Sequence, residues 1–258
     1  MEIKSLKDLE IVIERAGKRP ADAIREAKIT APYLNRVPGS VLMEMGDTKV
    51  LCVATCEEKL PRWLMAPGVE RHGWLTSEYE LLPFAGGERK ASEVSQGKIG
   101  GRTHEIQRLV GRSLRAAVDL EALGERTIWI DCTVLQADGG TRTASVTGGF
   151  VALALLIKDL KKKKIIKRSP LKRTITAVSV GRVDGRSLLD LDYSEDSRAE
   201  VDCNLVMTGE GELVEIQGTA EGKPFPQDVL REFLELGRIG CAELAKLQAP
   251  YLEGAFEK

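Results

Sequence analysis

The segment "RTIWIDCTVLQADGGTRTAS", residues 126–145, decides the fold because it joins a strand to a helix through a glycine turn. Apolar residues occupy every second position from Ile128 to Val134, which predicts a strand with one buried face. After Gly139 and Gly140, roughly residues 144–160 read as a helix that is apolar almost all round. Such a helix belongs in a core, so the segment predicts a β-α unit whose helix is buried.

The glycine turn is also a candidate anion site. The N–H groups at a helix start are unpaired and carry a partial positive charge, which attracts anions. Gly140 lets the backbone approach a ligand, Thr141 supplies a hydroxyl, and the guanidinium of Arg142 fits two phosphate oxygens at once. The turn lacks the Gly-Lys-[Ser/Thr] of a nucleotide-binding P-loop. The alternative is a plain loop with a Ser/Thr cap.

A second arginine stands at another predicted helix start. Arg102 follows Gly100 and Gly101, and apolar residues recur at helical spacing from Ile106 to Val118. A cation in the first turn of a helix is mildly unfavourable. We interpret this cost as a hint of a nearby anion, although an exposed first-turn arginine is the alternative.

An acidic segment, "LLDLDYSEDSRAEVD", follows in the second half. Asp190 and Asp192 alternate with apolar residues, so they are expected to share the polar face of a strand. Asp196 and Asp202 flank a turn and could converge on one Mg²⁺, which commonly takes one or two carboxylates. The alternative is a solvated acidic loop.

The remaining pattern repeats the arrangement of hairpin and helix. Hairpins are predicted at Gly46-Asp47 and Asp184-Gly185, and residues 57–101 read as an irregular connection. A charged run at residues 158–173 reads as a seam between two halves, and the last helix is expected from about 226 to 247. The sequence therefore predicts an α+β fold of two β-α halves with sheets backed by helices.

Net charge, apolar stretches and cysteine content limit the partners and the cellular compartment expected for the protein. The formal net charge of the 258 residues is -1, so any contact with RNA must come from local basic patches. Basic residues in the irregular connection are interleaved with aromatic ones, which suits base stacking. The candidates for RNA contact are Arg71, Arg89, Lys90 and Lys98. The longest apolar stretch, "FVALALLI", is too short to span a bilayer, and five widely spaced cysteines indicate a reducing compartment. We expect a soluble, cytoplasmic protein without membrane contact.

Four long motifs carry a resemblance to a known family. They are "GGRTHEIQRLVGRSLRAAVDL", "DCTVLQADGGTRTASVTGGFVALA", "LDLDYSEDSRAEVDCNLVM" and "EIQGTAEGKPF". These motifs resemble the ribonuclease PH family of phosphorolytic 3′ exoribonucleases over nearly the whole chain. The resemblance implies a fold of the ribosomal protein S5 domain 2-like type. It divides the chain into an N-terminal helical extension (1–18), a first core half (19–160) and a second core half (168–248).

The resemblance also implies an activity. Such enzymes trim the 3′ ends of transfer-RNA precursors with inorganic phosphate and release nucleoside diphosphates, a reversible nucleotidyl transfer. The family's phosphate-binding residues fall on Arg102, Gly140, Thr141 and Arg142, and its metal-binding and catalytic carboxylates on Asp196 and Asp202. The implied assembly is a homohexamer, a trimer of dimers. Two rival readings are a non-catalytic RNA-binding ring subunit of exosome type and a metal-dependent hydrolytic exoribonuclease.

Overall fold

The computed structural model of the protein describes residues 15, 18–93 and 95–257. Most of the predicted N-terminal extension, and the helix expected within it, lies outside these residues. The described chain contains two β-sheets with helices packed against them, which confirms the α+β class predicted from the sequence.

The first half is a five-stranded sheet of order β1-β2-β3-β5-β4. Its strands are β1 (Ala27–Thr30), β2 (Ser40–Met45), β3 (Thr48–Glu57), β4 (Trp74–Leu81) and β5 (Thr127–Gln136). The predicted hairpin at Gly46-Asp47 joins β2 to β3. β5 lies antiparallel to β3 with Cys52 opposite Cys132, and parallel to β4 with Tyr79 opposite Cys132. The ends of β4 and β5 therefore reach the same edge of the sheet.

The prediction of an irregular connection over residues 57–101 was wrong in its middle. A short 3-10 helix (Arg62–Met65) and β4 occupy this segment. Leu75, Ser77 and Tyr79 are buried in alternation with polar residues, so β4 follows the two-residue strand period. Serine on the buried face and glutamates on the other face left the strand with little apolar signal.

The second half is a four-stranded antiparallel sheet of order β7-β6-β8-β9. Its strands are β6 (Ile175–Val183), β7 (Arg186–Leu189), β8 (Val201–Thr208) and β9 (Leu213–Ala220). The expectation that Asp190 and Asp192 share a strand face was wrong, because β7 ends at Leu189. Asp190 has a positive φ of 55°, and Asp192 caps the one-turn helix α4 (Tyr193–Asp196).

Helices cover the sheets and form the core. They are α1 (Gly101–Arg115), α2 (Leu120–Leu123), α3 (Thr141–Lys162) and α5 (Gln227–Leu252). α3 packs against both sheets and is buried along most of its length, as its all-round apolar sequence predicts. Within the described residues, α3 is the one helix long and apolar enough to cross a membrane, and 83% of its most apolar window is buried inside the fold. It is therefore a core helix.

Candidate active site

The sequence-predicted phosphate and metal residues line one cavity of about 490 Å³. Its wall includes Arg102, Gly140, Thr141, Arg142, Asp196 and Asp202. The cavity forms where β4 and β5 end, α1 and α3 begin, and the second half presents α4 and β8. Two helix starts and two carboxylates thus converge on one space, although they lie up to a hundred positions apart in the sequence.

The start of α3 is built to leave backbone donors available. Gly140 is the N-cap residue in the left-handed conformation, with φ 66° and ψ 19°, which favours glycine. Within the described part of the chain, no side chain caps the helix. Thr141 is held by a 3.0 Å hydrogen bond between its Oγ1 and the hydroxyl of buried Tyr79. The helix start therefore presents uncapped N–H groups to the cavity, as an anion site requires.

The two arginines reach the cavity from different helices. Arg102 is exposed in the first turn of α1, whereas the side chain of Arg142 is only 19% exposed. Nη2 of Arg142 donates to Oε2 of Glu105 at 3.0 Å. Nε of Arg142 is buried without a hydrogen-bond partner among the described residues. A buried unpaired donor on a cation is costly. Arg142 also lines the cavity, where an anion would offset the charge of the guanidinium.

The two carboxylates stand close enough to affect each other. Burial raises the pKa of Asp196, while Arg102, Arg142 and Arg25 act in the opposite direction. Burial, together with the charge of Asp196, raises the pKa of Asp202 to about 6. Two partly buried carboxylates that repel each other form a suitable pair of ligands for a divalent cation. Among the described residues, no group of three or more His, Cys, Asp or Glu side chains could hold a metal ion, here or elsewhere, so a cation at this pair would need further ligands from water or substrate.

A buried ion pair, missed in the sequence, joins the glycine turn before α3 to the segment that carries Asp190 and Asp196. The guanidinium of Arg25 donates to both oxygens of Asp190, at 2.9 and 2.7 Å. It also donates to the carbonyl oxygens of Asp138 and Gly139. Oδ1 of Asp138 in turn accepts from the backbone N–H of Tyr193 at 3.2 Å. The loop that begins α3 and the segment that carries Asp196 are thus held in one arrangement.

The same segment is held from its other side by Arg15 and Arg19. Nε and Nη2 of Arg15 donate to the two oxygens of Glu195 at 2.7 and 2.9 Å, and both residues are buried. Arg19 donates to the carbonyl oxygen of Asp190 at 2.8 Å. These arginines precede the first strand, and no local motif connects them with acids about 175 positions later. Sequence reasoning had no signal that could have paired them.

Gly139 marks the closest approach between the two segments. It has a φ of 74°, and a Cβ atom there would lie 2.4 Å from the carbonyl oxygen of Leu191. Gly185 has almost the same φ, 73°, with nothing within 4 Å of its Cβ position. The two glycines form a matched pair, because they share a positive φ and differ in their surroundings.

We expect Gly185→Ala to lower the free energy of unfolding by about 1 kcal/mol, the cost of a left-handed residue. Gly139→Ala should cost about 3 kcal/mol, because steric overlap with the backbone of Leu191 adds to that strain. Urea unfolding of both variants and the wild-type protein measures the difference. Equal losses in the two variants would show that the contact between the segments is not tight.

The residues predicted to contact RNA are not all near this cavity. Lys90 lies in the cavity wall, and Arg89 and Lys98 are exposed on the same loop. Arg71 precedes β4, whose other end reaches the cavity, and it pairs with Glu125 at 3.6 Å. The structure therefore brings Lys90 to the site and leaves Arg71 at the far end of the strand.

Two other residues line the cavity without having been predicted there, and one of them, Tyr79, belongs to the aromatic residues of the irregular connection that were expected to suit base stacking. Tyr79 is 5% exposed, and burial raises the pKa of its hydroxyl, which keeps it a hydrogen-bond donor. Asn204 is 6% exposed and lies two residues after Asp202 on β8. The alternation along β8 could have identified Asn204 as a neighbour of Asp202. Tyr79 could not be placed, because its strand had not been recognised.

Comparison with known proteins finds a matching protein family and a similar curated protein. Residues 23–157 match the family model described as "3′ exoribonuclease family, domain 1". Residues 174–240 match the model described as "3′ exoribonuclease family, domain 2". A curated protein of Syntrophomonas wolfei named ribonuclease PH is 53% identical over 240 residues, which cover 93% of this chain and 99% of that protein.

Solved structures share the fold at lower identity. A structure titled as the Archaeoglobus fulgidus exosome with RNA bound to the active site has a TM-score of 0.74 and 21% identity, covering 91% of this chain and 92% of its own. The crystal structure of rice (Oryza sativa) Rrp46 has a TM-score of 0.72 and 18% identity, covering 92% and 100%. At these identities the likeness establishes the fold alone.

Proposed function

The chain belongs to the 3′ exoribonuclease family, and we propose that its cavity trims the 3′ ends of transfer-RNA precursors with inorganic phosphate. The products are nucleoside diphosphates, and the reaction is a reversible nucleotidyl transfer. The observation that carries the proposal is the single cavity that Arg142 lines together with Arg102, Asp196 and Asp202. That arrangement suits an anion held beside a carboxylate pair.

In this proposal the attacking phosphate lies between the two arginines and the start of α3. Arg142 is only partly exposed and tethered to Glu105 at 3.0 Å, so its guanidinium is oriented before substrate arrives. Thr141, which Tyr79 holds in place, and the backbone N–H groups after Gly140 complete the proposed phosphate site. Donors held in place in a partly water-excluded site stabilise charge more strongly than donors in water.

Asp196 and Asp202 would hold Mg²⁺. Their mutual repulsion and their partial burial, which raise the pKa of Asp202 to about 6, fit a site completed by a cation. When bound, the metal supplies stabilisation of negative charge on the phosphoryl oxygens. Two protein carboxylates are a common number for Mg²⁺, whose other ligands are waters and substrate phosphate.

The chemistry is an in-line displacement at the last phosphodiester of the RNA. An oxygen of the bound phosphate forms a bond to the terminal phosphorus while the bond to the preceding 3′ oxygen breaks. That oxygen remains on the shortened RNA and takes up a proton. Arg102 and Arg142 orient the attacking group and neutralise its charge, so positioning and electrostatics do most of the catalytic work.

Lys90 in the cavity wall, with Arg89 and Lys98 on the same loop, would bind the RNA backbone. Arg71 would meet RNA only at a distance from the cavity, at the far end of β4. The proposed assembly is a homohexameric ring built as a trimer of dimers, and the proposed location is the cytoplasm.

Omission of phosphate tests this function. A 3′-extended transfer-RNA precursor is incubated with the protein and Mg²⁺, with and without orthophosphate. We expect shortening only when phosphate is present, and extension when a nucleoside diphosphate replaces it. Equal shortening in both reactions would indicate a hydrolytic exoribonuclease, and no shortening in either would indicate a non-catalytic RNA-binding subunit.

A further inference from the structure

Asn204 is a buried polar residue that the phosphate and metal sites leave unused. It is 6% exposed, and it lies on the same face of β8 as Asp202, two residues away. It lines the main cavity and also an adjoining cavity of about 390 Å³. Arg142, Asp202 and Asn204 form the strip of wall that the two cavities share.

The carboxamide of Asn204 has no protein partner. Among residues 15, 18–93 and 95–257, no group forms a hydrogen bond with it, although its backbone pairs within the sheet. Its lateral neighbours in the sheet are Ser179 on β6 and Gln217 on β9. The hydroxyl of Ser179 accepts instead from the backbone N–H of Leu191 at 3.2 Å. Its polar atoms are not among the buried unpaired atoms of the described residues, so the carboxamide is open to the cavity that it lines. There it can bind a ligand group or water.

The neighbouring side chains limit the kinds of ligand group that Asn204 can bind. In the proposed function, Arg102 and Arg142 bind the negatively charged oxygens of phosphate, and Asp196 and Asp202 bind a cation. The neutral carboxamide offers donors and an acceptor together, which complements a hydroxyl group that both donates and accepts. The two-residue offset along β8 places Asn204 about 7 Å from Asp202. This separation is comparable with the distance from the 5′ phosphorus of a nucleotide to the hydroxyl groups of the same nucleotide's ribose.

We propose that Asn204 binds a hydroxyl of the RNA's terminal ribose, and so contributes to the selection of a ribonucleotide end. The inference rests on the proposed function, since it assumes that the last phosphodiester lies between the arginines and the carboxylates. It assigns Asn204 to substrate recognition and gives it no part in holding the attacking phosphate.

Single-turnover removal of the first nucleotide tests the inference. Three oligonucleotides of one sequence end in a ribonucleotide, a 2′-deoxynucleotide or a 3′-deoxynucleotide, and the last two separate the two hydroxyls. We expect the wild-type protein to react about tenfold more slowly with one deoxy end, the effect of losing one hydrogen bond. Asn204→Ala should react about tenfold more slowly with the ribonucleotide end and lose nothing further with that deoxy end. Its KM for phosphate should be unchanged.

Asn204→Leu keeps the side-chain volume and gives the same readout if the alanine variant does not fold. Thermal melting of each variant checks the fold. Variants that discriminate among the three ends as strongly as the wild-type protein would overturn the inference while leaving phosphorolysis intact. A wild-type protein that removes the nucleotide equally well without phosphate would overturn the proposed function, and the inference with it.

Discussion

Arg142→Ala is expected to lower kcat/KM for phosphorolysis about a thousandfold, the upper range for losing one preorganised donor. The side chain is held by Glu105 and lines the cavity, and its Nε is buried without a hydrogen-bond partner among the described residues. Its removal takes a fixed guanidinium from the proposed phosphate site and leaves Arg102 as the remaining arginine there. It also removes a positive charge that lowers the pKa of both Asp196 and Asp202. Initial rates over a range of phosphate concentrations measure the loss.

Two control variants accompany Arg142→Ala. Arg231 on α5 is exposed and paired with Asp228 at 2.6 Å, so Arg231→Ala removes the same charge without touching the cavity and should keep full activity. Arg142→Lys keeps the charge but loses the planar fork, and we expect it to recover only a small part of the rate. Unchanged phosphorolysis by folded Arg142→Ala would reject the proposed phosphate site.

Asp202→Asn is the second change with a large expected effect. It should lower kcat about a hundredfold or more, because a carboxylate of the proposed metal pair becomes a neutral amide of the same shape. Direct titration with Mg²⁺, followed by calorimetry, should show weaker binding. These two results together separate loss of the metal from loss of RNA binding.

The same substitution has an expected effect on stability that runs the other way. Burial and Asp196 raise the pKa of Asp202 to about 6, so its ionised form destabilises the metal-free fold above that pH. This penalty is lost as the pH falls through 6, where the folded protein takes up a proton. At pH 8 without metal, Asp202→Asn should therefore melt at a higher temperature than the wild-type protein.

Asp184→Asn is the matched control for this second variant. Asp184 lies in the hairpin turn before β7 with a positive φ of 49°, a conformation that asparagine also accepts. It is half exposed and pairs with Arg198 at the surface. Its replacement should leave both activity and Mg²⁺ binding unchanged. A stable Asp202→Asn protein with wild-type kcat and Mg²⁺ affinity would exclude Asp202 from the metal site.

The sequence could predict those parts of the fold and site that follow from local patterns. β5, the glycine turn and α3 follow from alternation, two glycines and an apolar helix, because neighbouring residues there define both the element and its burial. Arg102 and Arg142 are likewise marked by their positions at helix starts. Convergence of Asp196 and Asp202 on one cavity was predicted from a turn that separates them by six positions.

The missed features depend on contacts between distant segments. β4 carries serine and glutamates, and it becomes a strand because its backbone pairs with β5, which follows about fifty positions later. Asp190 lies just after β7 with its carboxylate bound by Arg25, and this pairing spans 165 positions. In a single sequence, nothing near β4 or Asp190 indicates that β5 or Arg25 is its partner. The roles of the site residues and the boundaries of the two halves, by contrast, remain predictions.

The most direct test of the account uses orthophosphate labelled with ³²P in a reaction with unlabelled 3′-extended RNA. If free phosphate bound between Arg102 and Arg142 attacks the terminal phosphodiester, the label will appear in the β-phosphate of the released nucleoside diphosphates. Release of unlabelled nucleoside monophosphates at the same rate would contradict the account, because water would then be the attacking group.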